Sequence, residues 1–308
     1  MCRVTIRPQP ASPPDAPPPA IRRIGLVVHP KREIDTALAH ARTWARDNGV
    51  ALYQINVDGK ERVVADPGEV DSCDLVLAVG GDGTTLHALH AAAMAGRPVL
   101  GVACGSLGAL TAVTAEELDR ALASVARGEW HPRRLPGVRV SADGGPERVA
   151  INDVVVVRRG ATQVIVEITL DGQRYVRYAG DGIVVATPAG SSAYTLAAGG
   201  PILSERSDGL VLTPLAPHGG CCPPLVAGPG SEVRLHVEAG WGGSRLEFDG
   251  QIDERQPTAL RLARIEDYAT LVGLGDEEPL FAGLRRRRIL IDSPRVLARD
   301  DRAALGRD

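Results

Sequence analysis

Aromatic residues are scarce in this sequence, at only 3% of its 308 residues, and their scarcity argues against one class of binding surface. Proteins that bind single-stranded nucleic acid stack bases on aromatic side chains, and this chain has few to offer. Its formal net charge of −3 provides no positive field toward a phosphate backbone either. We therefore expect no nucleic-acid partner, and a core built from valine, leucine, isoleucine and alanine.

Long hydrophobic runs are also absent. No run approaches the roughly 20 apolar residues that a membrane-spanning helix needs. At the N-terminus Arg3 and Arg7 lead straight into proline, without a hydrophobic signal core. The five cysteines have no C-x-x-C spacing, and Cys221 and Cys222 are adjacent and poorly suited to bridging each other. These features favour reduced thiols in a cytoplasmic protein, without membrane contact or structural zinc.

Composition changes along the chain and predicts its organisation. Residues 1–20 are rich in proline and predict a disordered tail, with a short recognition motif as the alternative. Strands alternate with helices over 21–130, which predicts an α/β domain with a parallel, doubly wound sheet. Residues 131–275 predict a second, β-rich domain, because helical periodicity fades and short strands follow one another. Residues 276–308 either pack back on the first domain or are disordered.

The predicted elements follow from periodicity and turn residues. Helices are expected over Glu33–Asp47, ended by Gly49, and over Glu116–Arg127, with Thr114 as N-cap. Apolar runs predict strands in the first domain over 24–28, 51–57, 75–79 and 98–102. Asp-Gly turn pairs help to divide the second domain into strands over 149–157, 164–170, 175–178, 183–186, 210–213, 233–237, 245–248, 259–263 and 269–272.

The most informative stretch is Gly80-Gly81-Asp82-Gly83-Thr84, where an apolar strand ends and a helix opens. Glycines there let the backbone approach a ligand closely, and the free N–H groups of a first helical turn face an anion. A lone carboxylate among those amides needs a metal ion, a hydroxyl proton or a positive partner. Phosphate, a divalent cation and an acceptor hydroxyl together indicate phosphoryl transfer. The alternative is an ordinary turn, since neither the Walker nor the dinucleotide spacing is present.

A second glycine-dense stretch lies in the β-rich half, between residues 180 and 201. Its hydroxyl side chains and exposed amides suit a polar ligand, and an ordinary Gly/Ser loop is the alternative; the hydroxyls are those of Thr187, Ser191, Ser192 and Tyr194. The polar pair Asn152-Asp153 interrupts a predicted apolar strand. Such a pair is either satisfied internally or points at a ligand.

Taken together, these motifs resemble the NAD kinase family. Their order matches from about residue 24 to residue 275, and the quoted positions are 80–84, 101–102 with 105 and 107–108, 150–153, 181–182, 187–194, 199–202, 213–214 with 217–218, and 249–251. The first motif is shared with a wider superfamily that includes diacylglycerol and sphingosine kinases. The later motifs are specific to NAD kinases.

The resemblance implies a ligand cleft between the two domains, a homodimer or homotetramer, and transfer of the ATP γ-phosphoryl group to the adenosine 2′-hydroxyl of NAD. It makes Asp82 the candidate base, with Mg²⁺ or another divalent cation held mainly by the ATP phosphates and Asp82 as its candidate protein ligand. The implied phosphate-binding residues are Gly80, Gly81, Gly83 and Thr84. The implied substrate-binding residues are Asn152, Asp153, Asp181, Thr187, Ser192, Ala193, Tyr194 and His218, with Asp181 reaching the adenine across a subunit boundary.

Four positions depart from the family pattern. Ala103 stands where the family usually has Asn, Ala109 where it has an aromatic residue, Ala197 where it has Ser and Pro223 where it has Arg. Asp153 replaces the usual Glu and shortens its reach by one methylene. These losses leave two alternatives open: a kinase of the same fold acting on another nucleoside, sugar or small hydroxylated metabolite, and a nucleotide-binding regulator without turnover. The motifs do not discriminate ATP from polyphosphate, or NAD from NADH.

Two further groups of residues have weaker signals. His87 and His90 lie three apart on a predicted helix, which favours surface or packing roles over metal binding. Arg285 to Arg288 form a basic run that predicts a solvated helix face, with phosphate contact as the alternative.

Overall fold

A computed structural model describes residues 20–57, 62–143, 145–256, 258–275 and 278–305, with side chains to residue 299. The proline-rich stretch predicted to form a tail therefore lies almost wholly outside the described residues. Within them, no helix combines the length and hydrophobicity that crossing a bilayer requires. The described cysteines form no disulfide.

The first half alternates strands and helices. Its elements are β1 (Arg23–Val28), α1 (Asp35–Asn48), β2 (Ala51–Gln54), β3 (Leu75–Gly80), α2 (Asp82–Ala93), β4 (Val99–Ala103), β5 (Val113–Thr114) and α3 (Leu118–Ala126). The longer strands run parallel in the order β2-β1-β3-β4. Because successive side chains of a strand face opposite ways, Leu75 and Leu77 pack with α1 and α3, whereas Val76 and Ala78 pack with α2. Helices thus cover both faces, which confirms the predicted doubly wound sheet.

The helix ends were predicted with mixed success. Gly49 ends α1 in the left-handed conformation, with φ +66°, as expected. The prediction of Thr114 as the N-cap of α3 is wrong, because Glu117 occupies that position and the helix begins at Leu118. The Glu117 carboxylate instead reaches back to accept hydrogen bonds from the Thr114 amide and hydroxyl, at 2.9 and 3.1 Å.

The second half is rich in β-structure, as predicted. Its elements are β6 (His131–Ala142), β7 (Arg148–Ala150), β8 (Asp153–Arg158), β9 (Val164–Leu170), β10 (Gln173–Gly180), β11 (Gly182–Ala186), α4 (Tyr194–Ala197), β12 (Leu210–Leu215), β13 (Leu225–Ala227), β14 (Val233–Glu238), β15 (Ser244–Phe248), β16 (Gln251–Asp253), β17 (Ala259–Gly273), α5 (Leu280–Arg286) and α6 (Pro294–Leu305). The strand β6 was missed in the sequence, since Pro132 and Pro136 interrupt its pattern. The two strands predicted over 259–263 and 269–272 are one, β17, with an irregularity between Ile265 and Ala269.

One sheet runs through both halves. Its described strands follow the order β10-β9-β14-β17-β4-β3-β1-β2, because β17 pairs parallel to β4 through Leu271 and Val99 and antiparallel to β14. A second, antiparallel sheet has the order β13-β12-β11-β8-β15-β16. Its valines and leucines share a core with β6, β9, β14 and β17 of the first sheet. The first sheet therefore joins the α/β half to the β-rich half.

Candidate active site

A cavity of about 450 Å³ opens where the α/β half meets the β-rich half. Four of the predicted site residues line it: Asp82, Asn152, Ser192 and Ala193. The rest of its wall comes from the loop after β4, from β6, from the loops on either side of α4 and from the C-terminal segment, through Ala109, Leu110, Arg133, Arg134, Leu135, Pro136, Pro188, Ala189, Glu205, Leu280, Arg287 and Ile289. Its volume falls within the roughly 300–1,000 Å³ of small-molecule sites.

Asp82 is the first residue of α2 and forms part of the cavity wall. Oδ2 accepts a hydrogen bond from the Ala109 amide and Oδ1 one from the Leu110 amide, both at 2.9 Å. An ionised carboxylate offers about four acceptor positions, so two remain after these bonds are made. The group is therefore held in one orientation and still has the capacity to accept a proton from a ligand hydroxyl.

Gly108 packs directly against that carboxylate. A Cβ atom at Gly108 would lie 2.0 Å from Asp82 Oδ1 and 2.5 Å from its Cγ, closer than any real Cβ contact. The Gly108 amide donates to Thr111 Oγ1 at 2.7 Å, and this hydrogen bond stabilises the conformation of the loop. Only glycine leaves room for Asp82 in its observed position.

The predicted phosphate-binding residues lie beside the cavity rather than in its wall. They occupy the turn from β3 into the N-terminus of α2, where backbone N–H groups favour an anion. The space that a side chain would fill at Gly83 is open, with no atom within 4 Å. Arg32, from the loop after β1, brings its Nη1 to 3.4 Å from the corresponding position at Gly81. In the strand order β2-β1-β3-β4 these two loops flank a topological switch point, the usual ligand crevice of such sheets.

Asn152 reaches the cavity because a buried carboxylate breaks the predicted strand over 149–157 into β7 and β8. Asp249, whose side chain is 2% exposed, accepts hydrogen bonds from the amides of Ile151, Asn152 and Asp153 at 2.7, 2.7 and 3.0 Å. It also contacts Nε2 of His90 on α2 at 2.7 Å. The prediction of one continuous strand is therefore wrong. Asp249 and His90 tie the Asn152 loop to the helix that begins at Asp82, a role that sequence reasoning missed.

We expect Asp249→Asn to destabilise the protein. One carboxylate oxygen becomes an NH₂ group that faces the Ile151 amide, and a buried donor left unpaired costs about 1–3 kcal/mol of unfolding free energy. Urea denaturation measures the loss. The matched control is Asp171→Asn, because Asp171 occupies the same kind of Asp-Gly turn, with φ +49° against +51° for Asp249, but lies exposed. Equal losses in the two variants would contradict the role given to Asp249.

Asp153, the first residue of β8, is buried with 6% of its surface exposed. Burial, reinforced by the nearby carboxylates of Asp249 and Glu247, raises the pKa of Asp153 to about 7. The neutral carboxyl can donate a hydrogen bond as well as accept one. Asp153 is not part of the cavity wall, so in this structure its side chain offers no surface to a ligand there.

The raised pKa of Asp153 predicts a pH dependence of stability. Between about pH 4 and 7 the folded protein holds a proton that the unfolded chain has released, so the free energy of unfolding falls as pH rises through this window. Asp153→Asn cannot ionise and escapes that fall. We expect the stability of the variant relative to wild type to increase across the window, by at most about 1.4 kcal/mol per pH unit, and then to level off. A pH-independent difference in denaturation experiments would contradict this.

The other predicted substrate-binding residues lie outside the cavity lining. Thr187 is fully buried, and its hydroxyl donates to the Ile151 carbonyl at 2.7 Å, so its side chain shapes the loop and offers no surface to a ligand. Asp181 pairs with Arg158 at 2.6 Å and is 39% exposed. Tyr194 is exposed next to Ala193, and His218 is exposed while its amide bonds to the Ala179 carbonyl.

The residues present fit a magnesium ion carried by a nucleotide. The described residues contain no group of three or more His, Cys, Asp or Glu side chains able to hold a metal. Mg²⁺ usually keeps several waters and binds one or two carboxylates together with substrate phosphates. Asp82 supplies one such carboxylate at the cavity. The described residues therefore provide no set of protein ligands that would bind a metal without the nucleotide.

The four departures from the family pattern are distributed unevenly around the site. Ala109 lines the cavity, and Ala103 is buried at the end of β4. Ala197 and Pro223 are exposed. Of the four departures, only the one at Ala109 therefore changes the cavity wall itself.

Comparisons with known proteins agree with this geometry. The NAD kinase of Prosthecochloris aestuarii is 32% identical over 242 residues, which cover 75% of this chain and 84% of that protein. NAD kinase 1 of Streptomyces coelicolor is 32% identical, with 90% and 88% covered. Yeast NADH kinase complexed with NADH superposes with a TM-score of 0.74 at 20% identity, covering 92% and 93% of the chains. An NAD kinase from Archaeoglobus fulgidus in complex with ATP gives 0.68 at 24% identity, covering 85% and 98%.

Family models account for both halves of the molecule. The ATP-NAD kinase N-terminal domain matches residues 28–130, and the ATP-NAD kinase C-terminal domain matches residues 151–262. The first match contains Asp82 with its glycine turn, and the second contains Asn152, the loop before α4 and Asp249. Since these matches span more than half of the chain, and the cavity lies where the two matched regions meet, this chain belongs to the ATP-NAD kinase family.

Proposed function

We propose that this protein is an NAD kinase, which transfers the γ-phosphoryl group of ATP to the adenosine 2′-hydroxyl of NAD and yields NADP and ADP. The observation that carries the proposal is the Asp82 carboxylate, oriented by two backbone amides and facing a cavity that Asn152, Ser192 and Ala193 also line. The intact glycine turn beside it supports a phosphate donor. The relatives named NAD kinase and the archaeal relative in complex with ATP support the same choice of substrates.

In this reaction the 2′-oxygen of NAD forms a bond to the γ-phosphorus, and the bond from that phosphorus to the oxygen bridging it to the β-phosphate breaks. Asp82 accepts the hydroxyl proton, and the electron pair of the broken bond leaves with ADP. Such transition states are loose, so positioning and charge neutralisation contribute most. The amides at the start of α2 and the Arg32 guanidinium supply fixed positive charge next to the transferred group. A bound Mg²⁺ would neutralise further phosphate charge.

We propose that the acceptor is held by Asn152 at the nucleoside and by Ser192, Ala193 and Tyr194 around it, with Asp153, Thr187 and Asp249 positioning the loops. Asp249 acts through the Asn152 loop and is a positioning residue.

We also infer a homodimer or homotetramer in the cytoplasm. Asp181, Tyr194 and His218 lie outside the cavity wall of one chain. The family resemblance gives Asp181 a role at the adenine across a subunit boundary, and its exposed carboxylate supports that arrangement. Sedimentation or light scattering of the purified protein tests it.

A second candidate is a kinase of the same fold that acts on another hydroxylated acceptor. The observation that favours it is Ala109, which lines the cavity where the family usually presents an aromatic ring. A regulator without turnover is less favoured, because a pure binder has no need of a carboxylate facing phosphate.

One assay discriminates these functions. Purified protein is incubated with MgATP and NAD, and NADP formation is followed together with ATP consumption. The proposal predicts one NADP for each ATP consumed. ATP consumption only with another acceptor would support the second candidate, and nucleotide binding without product would support the regulator. A parallel incubation with inorganic polyphosphate or with NADH identifies the donor and the redox form of the acceptor.

A further inference from the structure

The C-terminal segment, residues 278–291, follows the part of the chain that the family models match. Leu284 anchors it and is 1% exposed. Arg286 donates to the Leu107 carbonyl at 3.0 Å and pairs with Glu278 at 2.9 Å. Leu107 immediately precedes Gly108, which packs on Asp82. The segment is therefore fastened to the loop that orients the candidate catalytic carboxylate.

One face of this segment forms part of the cavity wall, through Leu280, Arg287 and Ile289. The Arg287 guanidinium bonds within the segment only once, from Nε to the Gly283 carbonyl at 3.2 Å. No carboxylate among the described residues forms an ion pair with it; Glu278 lies near enough for a longer-range electrostatic interaction but forms its ion pair with Arg286. Arg287 thus presents positive charge to the cavity with most of its donors unused.

The wall of the same cavity contains two more arginine side chains. Arg133 and Arg134 of β6 line the cavity, and they pair with Glu205 and Asp267 at 3.7 and 3.9 Å. Only Asp82 and Glu205 contribute negative charge to the wall. Arg287 is therefore the arginine of the wall for which no ion pair forms among the described residues, and guanidinium groups bind phosphate oxygens in pairs, so it favours an anionic ligand.

The composition of the cavity wall favours an anionic group of the acceptor, rather than of the phosphate donor, as the ligand of Arg287. The glycine turn that suits the donor phosphates is outside the cavity wall, whereas Asn152, Ser192 and Ala193 share the wall with Arg287. We propose that Arg287 binds the pyrophosphate of the dinucleotide acceptor, and that Leu280 and Ile289 pack against its apolar surface. The C-terminal segment is then a substrate-binding element of this chain. This inference rests on the proposed NAD kinase activity.

Steady-state kinetics of Arg287→Ala test the proposal. A hydrogen bond to a charged group is worth about 1.5–3 kcal/mol, so we expect KM for NAD to rise about 10- to 100-fold. KM for ATP should stay within about twofold, since donor binding does not involve the segment. The inhibition constant of adenosine, which contains no phosphate, should also be unchanged. Arg287→Lys keeps the charge but not the paired geometry and should fall between wild type and Arg287→Ala.

Arg285→Ala is the matched control. Arg285 lies on the same helix but pairs with Asp292 at 2.7 Å and is 57% exposed, outside the cavity wall. It should behave as wild type. An unchanged KM for NAD in Arg287→Ala would overturn the proposal, as would a rise confined to ATP. An equal rise for NAD and adenosine would also overturn it, because it would indicate a purely structural role. Wild type that forms no NADP would instead reject the proposed function itself.

Discussion

Asp82→Asn is expected to lower kcat for NADP formation by about 10²–10⁴-fold, the usual contribution of a general base, while KM for NAD changes little. Asparagine cannot take the proton of the 2′-hydroxyl, but it occupies nearly the same volume in the cavity. One of the amides of Ala109 and Leu110 loses its acceptor in the variant, since only one amide oxygen remains. Initial rates with MgATP and NAD, together with direct binding of NAD, separate the chemical from the structural effect.

Asp74→Asn is a control for the same substitution at an amide-binding aspartate outside the cavity. Asp74 precedes β3 at its opposite end, and its carboxylate also accepts two backbone amides, those of Arg22 and Arg23 at 2.8 and 2.9 Å. Both amides donate to the same oxygen, Oδ2, which the asparagine side chain can retain, so we expect a small loss of stability and near-normal kcat in Asp74→Asn. A near-normal kcat in Asp82→Asn would remove Asp82 from the chemistry.

Gly108→Ala is expected to reduce activity about as severely, although its side chain carries no chemistry. The new methyl group would overlap the Asp82 carboxylate, at 2.0 Å from Oδ1, and the carboxylate or the loop must move. Misplacing a catalytic group by about 1 Å can cost about 10²-fold in rate. We therefore expect kcat to fall by at least about 10²-fold, measured as initial rates with MgATP and NAD.

The matched control is Gly228→Ala, because the corresponding space at Gly228 contains no atom within 4 Å and the residue lies on the surface. It should retain full activity. Full activity in Gly108→Ala would mean that the contact with Asp82 relaxes without consequence, and the tight positioning described here would be wrong.

The fold was largely predictable because its signals are local. The apolar run Leu75–Val79 and the glycines that follow it specify a buried strand and a turn into a helix within a few residues. The same holds for Gly49, whose left-handed conformation ends α1. The strand β6 was not predicted, because Pro132 and Pro136 interrupt its strand pattern. It forms nevertheless, because it pairs with β17.

The site was only partly predictable, because its key contacts join distant parts of the chain. Asn152 is exposed to the cavity through Asp249, which lies 97 residues away and breaks the strand that local propensity favours. The bond from Leu110 to Asp82 spans 28 residues, and the bond from Arg286 to Leu107 spans 179. No periodicity encodes such pairings. The basic run at 285–288 gave the only local hint of Arg287, and its favoured interpretation was a solvated helix face.

The most direct test of this account is a structure of the protein with NAD and a non-hydrolysable ATP analogue. We predict that the adenosine 2′-oxygen lies within about 2.6–3.2 Å of an Asp82 carboxylate oxygen, which is the reach required of a general base. The γ-phosphate of the analogue should lie over the glycine turn, in line with that oxygen. NAD bound outside the cavity, or with its 2′-hydroxyl turned away from Asp82, would contradict the account.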